Sequence, residues 1–105
     1  KQPQRKYILK PVVSVYPAAS RAHLEGKSFL LCLASAMFPS LVRFSWKRQK
    51  EDGQVEELPP QLELREPGRS AAILLIDQQQ DSTYKYSCYV QHEGGPVESI
   101  RPSHC

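Results

Sequence analysis

Three residues constrain this chain more than any others: Cys32, Trp46 fourteen positions later, and Cys88, 56 positions after the first cysteine. Each cysteine sits in a β-rich run, Cys32 within Ser28–Ala34 and Cys88 within Lys85–Val90, so each can stand on a strand facing another sheet. Two antiparallel sheets packed face to face leave a core about 10 Å thick, a gap that one disulfide can cross and one indole can fill. The triplet therefore points to a two-sheet β-sandwich. A Cys32–Cys88 bond closing so long a loop is worth roughly 4 kcal/mol on the chain-entropy model, a large share of a small domain's stability. Spacing alone leaves two buried free thiols as the alternative.

The 105 residues make one domain, long enough to bury a single core without a metal. With 40% hydrophobic and 24% charged residues the balance is globular and excludes a disordered polybasic arm. The formal charge of +3 is mild, and Lys1, Arg5, Lys6 and Lys10 are its only local excess, so no nucleic-acid partner is expected. No apolar run approaches the roughly 20 residues a bilayer helix needs, and no leader motif is seen, so the chain reads as mature or trimmed, with no membrane segment. An odd cysteine count, with Cys105 last, suits an oxidising, extracellular setting where two cysteines pair and the third is left for a partner. The sequence has no Asn, which excludes N-linked glycosylation.

Catalytic chemistry finds no support. His23, His92 and His104 fall in no metal-ligand spacing, and there is no Cys-x-x-Cys pair, phosphate-cradling glycine loop or strand-borne nucleophile motif. His104 beside Cys105 could act as base and nucleophile, but a tail has no scaffold to hold that geometry. The expectation is no enzyme, no cofactor and no metal.

Turn signals about every ten residues divide the chain into seven strands: 12–16, ended by Pro17, then 28–34, 42–48, 62–65, 70–76, 84–91 and 97–100. The polar run from Lys47 to Glu57 reads as a strand end and a solvated loop, and 77–82 as a possible helical turn. Strand alternation turns Val13, Val15, Leu30, Cys32, Val42, Phe44, Trp46, Ile73, Leu75, Tyr86, Cys88 and Val90 inward. It leaves Ser14, Tyr16, Leu31, Leu33, Ala72 and Leu74 outward, an apolar outer face on one sheet, whereas the other shows Arg43, Ser45, Lys47, Lys85, Ser87 and Gln91. One sheet thus expects a partner, with Tyr16 and Leu33 as anchors.

The segment Tyr86–Glu98 resembles the Tyr-x-Cys-x-Val-x-His pattern of antigen-receptor constant domains, those of immunoglobulin light chains and T-cell receptor chains, and most of all a lambda light chain. Pro11–Pro17, Leu31-Cys-Leu33, Phe38-Pro39 and Ser45-Trp-Lys47 are similar to the same family's first three strands, and the likeness covers residues 11 to 98. It departs at Gln80, where the light-chain domain has a Trp, and from Lys47 to Pro67. The resemblance implies an all-β, seven-stranded antiparallel immunoglobulin constant-type sandwich of Greek-key topology over 11–101, flanked by a linker or joining segment (1–10) and a tail (102–105). Trp46 and Tyr86 would mark its core, the latter's hydroxyl closing a tyrosine corner, and the Phe38–Pro39 bond would be cis. The family's apolar sheet pairs with another constant domain, of a heavy chain or a second receptor chain, which lands the partner interface on Ser14, Tyr16, Leu31, Leu33, Ala72 and Leu74. Such an interface buries on the order of 1,600 Å². Cys105 resembles the terminal cysteine that links such chains. The implied role is the constant domain of an antigen-receptor chain; the alternative is a beta-2-microglobulin-like or histocompatibility-type supporting domain.

Overall fold

A computed structural model describes residues 7–18, 27–77 and 84–101, and within them eight strands form two antiparallel sheets. In chain order they are β1 (Val12–Ala18), β2 (Lys27–Ser35), β3 (Arg43–Gln49), β4 (Val55–Leu58), β5 (Leu62–Glu66), β6 (Arg69–Asp77), β7 (Lys85–Gln91) and β8 (Val97–Ile100). The first sheet runs β1-β2-β6-β5 and the second β4-β3-β7-β8, so the chain crosses between sheets after β2, β4 and β6. This is the expected all-β sandwich. Of the stretch 77–82, read as a possible helical turn, Asp77 instead ends β6 and the rest lies outside the described residues.

The core is the one the cysteine and tryptophan spacing demands. Cys32 on β2 and Cys88 on β7 are bonded across the gap, with Cα atoms 6.2 Å apart, and both are fully buried. Trp46 sits opposite Cys88 on β3 and is also fully buried. Leu30, Val15, Phe44, Val90 and Tyr86 fill the remaining space between the sheets.

Three expectations need correction. β4 is an eighth strand within the polar run taken for a loop; it pairs with β3, Trp46 opposite Leu58 and Arg48 opposite Glu56. Its Val-Glu-Glu-Leu sequence has no two-residue alternation, so the signal that marks a half-buried strand is missing. β1 does not stop at Pro17 but carries it to Ala18, which an edge strand tolerates because a proline's missing N–H can face away from the sheet.

The third correction concerns β6. Ala72 pairs with Cys32 and Leu74 with Leu30, which puts both on the inner face, 0% and 2% exposed. Ile73 and Leu75 instead face out, opposite Leu31 and Phe29, and are only part-buried. The run Ala71-Ala-Ile-Leu-Leu-Ile76 is apolar at every position, so alternation cannot assign its faces. The register settles it: Ala72 lies opposite Cys32, beside the buried cystine.

Candidate functional site

The outer face of the first sheet is laid out in rows by the strand registers. Tyr16, Leu31, Ile73 and Leu62 form one row across β1, β2, β6 and β5, and Ser14, Leu33, Ala71 and Leu64 form the next. Phe29 and Leu75 extend the apolar surface on one side, and on the other a row of Val12, Ser35, Arg69 and Glu66 closes it. Of the six residues expected at this interface, Ser14, Tyr16, Leu31 and Leu33 lie on the face; Ala72 and Leu74 lie beneath it in the core. Ala71, Ile73, Leu62 and Leu64 take their place; the Leu-Glu-Leu-Arg alternation of β5 marks Leu62 and Leu64, whereas Ala71 and Ala72 are equally small and leave the parity of β6 open to the sequence.

β5 carries the point further. Its leucines stand outward, Leu62 53% and Leu64 54% exposed, while its charged Glu63 and Arg65 take the opposite parity, paired with each other at 2.5 Å. Arg65 also donates to the Val42 carbonyl at 2.9 Å, tying the strand to the start of β3. A strand that turns charges towards its own core edge and leucines to the outside has the reverse of the usual pattern for a solvated sheet.

The face is not flat. Ala71 is short between Leu33 and Leu64, and a recess of about 230 Å³ opens there, bounded at one end by Glu66 and Arg69. Those two side chains are ion-paired at 3.2 Å. Tyr16, 48% exposed, is the aromatic projection on the same face.

The second sheet's outer face is polar. Lys47 lies 4.0 Å over the Tyr89 ring and Ser87 donates to Glu98 at 2.8 Å. Near its edge Arg48 hydrogen-bonds Glu56 and stacks on Tyr84. The Glu56 carboxylate, followed by the Tyr86 hydroxyl, raises the Arg48 pKa against the opposing effect of burial, and the same contact lowers that of Glu56. Tyr86 itself is buried in the core, and Arg101 stacks on its ring.

At one end of the sandwich the chain before β1 crosses the loop between β2 and β3. Leu9 and Phe38 exchange backbone hydrogen bonds of 2.7 and 2.9 Å, and Tyr7 packs on the Phe38 ring. The Phe38–Pro39 bond is cis. His92 joins this loop to the turn before β8: its Nε2 is 2.8 Å from the Pro39 carbonyl, and its Nδ1 accepts from the Gly94 N–H at 3.0 Å. The second bond assigns the proton to Nε2, which donates to Pro39.

Cys105, His23 and His104 lie outside the described residues, as do Lys1, Arg5 and Lys6. Among the described residues no group of His, Cys, Asp or Glu could hold a metal, and no helix is long and apolar enough to cross a membrane. The arrangement is suited to covering one protein surface with another. Residues 13–95 match the family model described as the immunoglobulin C1-set domain.

Proposed function

Because the chain belongs to the immunoglobulin C1-set family, whose domains occur in antigen receptors, histocompatibility proteins and beta-2-microglobulin, we propose that it is the constant domain of an antigen-receptor chain, pairing with a partner constant domain. Domains of this family are generally non-enzymatic, typically extracellular or at the cell surface, and typically pair with another immunoglobulin domain. One observation carries the proposal: two adjacent rows across the first sheet's outer face, Tyr16-Leu31-Ile73-Leu62 and Ser14-Leu33-Ala71-Leu64, contain no charged side chain. A contiguous apolar surface of this kind, rimmed by polar groups, is what an interface core requires and what a freely solvated sheet avoids.

In this reading the light-chain, T-cell-receptor and pre-receptor types are the candidate classes, and Cys105 supplies a covalent tether to the partner chain. A tether at a chain end adds effective concentration without distorting either domain. The test is co-purification of the chain with its partners from its native cell, followed by mass analysis with and without reductant. A linked constant-domain chain supports the proposal, and loss of that chain in the Leu31→Asp, Ile73→Asp double variant locates the contact. Capture of a peptide-binding platform subunit in its place would overturn the receptor assignment in favour of a supporting role.

A further inference from the structure

We infer that the outer face of the second sheet carries a binding groove of its own, which takes an extended segment of a partner protein with an acidic, an aliphatic and a basic residue at alternate positions. The inference is independent of the pairing role proposed above, because this face lies on the opposite side of the sandwich. Its starting point is Ser87. The residue stands on β7 between the inward Tyr86 and Cys88, so its side chain points out of the sheet, yet it is only 7% exposed. It is the floor of a cleft of about 240 Å³, walled on one side by Val55 of β4 and on the other by Ile100 of β8. Lys47 stands opposite Ser87 on β3, but its ammonium leans over the ring of Tyr89, two residues further along β7.

Val55 and Ile100 are 56% and 53% exposed, the aliphatic residues that the two edge strands turn outward on an otherwise polar face. Between them the polar groups are graded by sign. Lys85 and Gln49 face each other at one end, neither side chain hydrogen-bonded to a described residue. Glu98 lies at the other end, its carboxylate held by the Ser87 hydroxyl at 2.8 Å. In the middle Glu57 lies opposite Lys47, so the row beside the floor adds no net charge.

This layout selects the occupant. Glu98 pairs with Tyr89, so the two charged ends are separated by the run from Lys85 to Tyr89, about 13 Å at the rise of a strand. An extended segment lying along β7 points every second side chain at the face, at a repeat of about 6.6 Å. Residues i, i+2 and i+4 then reach the Lys85 end, the Ser87 floor and the Glu98 end, where a carboxylate, an aliphatic group and a cation are complementary in turn. A segment with the same charge at both ends meets its own sign at one of them, the arrangement that costs most at a wrong interface. The cleft is smaller than the roughly 300–1,000 Å³ of sites that enclose a whole small ligand, which favours a side chain presented by a protein.

Titration of the isotope-labelled whole chain with the blocked pentapeptide Glu-Ser-Leu-Ser-Lys, followed by backbone amide shifts, tests this, with Cys105→Ser in every sample to keep covalent coupling out. The expected result is saturable shifts centred on Lys85, Ser87 and Ile100. Blocked Lys-Ser-Leu-Ser-Lys and Glu-Ser-Leu-Ser-Glu should each bind about fivefold more weakly, the worth of one exposed ion pair. Charge exchange then inverts the ranking: Lys85→Glu should make the peptide with two lysines the best ligand, and Glu98→Lys the peptide with two glutamates. Ser87→Leu, verified as folded by circular dichroism, should fill the floor and weaken all three. Absence of saturable shifts, shifts centred on the other sheet, or a ranking that the charge exchanges leave unchanged overturns the inference. Hexanoate reproducing the same shifts at equal affinity also overturns it, since the cleft would then take free carboxylates without need of a protein segment.

Discussion

Adjacent residues of β6 differ sharply in what they do. Leu74 is 2% exposed in the sandwich core, so Leu74→Ala should cost about 2–5 kcal/mol in denaturant unfolding, transfer and cavity terms together. Ile73 points the other way, and Ile73→Ala should cost below about 1 kcal/mol in the isolated domain, the range of cross-strand packing. Reversed values would mean the registers are off by one. A second residue-level prediction concerns acid. Arg48 holds the Glu56 carboxyl below its usual value, so the folded protein favours the ionised form. The stabilisation is present at pH above the carboxyl's unfolded value and disappears as pH falls through the lower folded one. Thermal midpoints of the wild type and Glu56→Gln should therefore differ at neutral pH, the wild type higher, and converge on acidification. A constant difference at all pH would assign the effect of the substitution to something other than this ion pair.

At the scale of elements, the disulfide is the framework on which the sheets are hung. Replacing Cys32 and Cys88 together with alanine should lower stability by about 2–5 kcal/mol and expose Trp46 fluorescence to quenching at temperatures where the wild type remains folded. The strands bearing Trp46 and Cys88 were legible in the sequence because polar and apolar residues alternate around both, and turn residues bound each run. β6 and β4 were illegible for opposite reasons. β6 is apolar on both faces, which is itself the mark of a strand covered twice, and period-two reasoning has nothing to count. β4 has glutamates at both central positions, and it is held as a strand by the Arg48–Glu56 contact and by pairing of Leu58 with Trp46, neither of which shows in local composition. Ser14, Tyr16, Leu31 and Leu33 lie on the outer face as expected because β1 alternates and β2 carries the cystine, which fixes its parity. The two on β6 failed with that strand's parity.

The whole molecule has two unlike outsides. One sheet presents lysines, glutamates and tyrosine to water, and the other presents leucines. At the end of the sandwich, the turn before β8 leans on the chain that leads into β1. A Cβ built at Gly94 would come within 2.8 Å of Ile8 and 2.9 Å of Lys10, closer than side chains tolerate. With the Leu9–Phe38 backbone pair on its other flank, the segment ahead of β1 lies in a bracket. Its direction is thus set by contacts with the body of the sandwich. A bulkier residue at position 94 would have to push the Ile8 and Lys10 side chains aside and so shift the approach to β1.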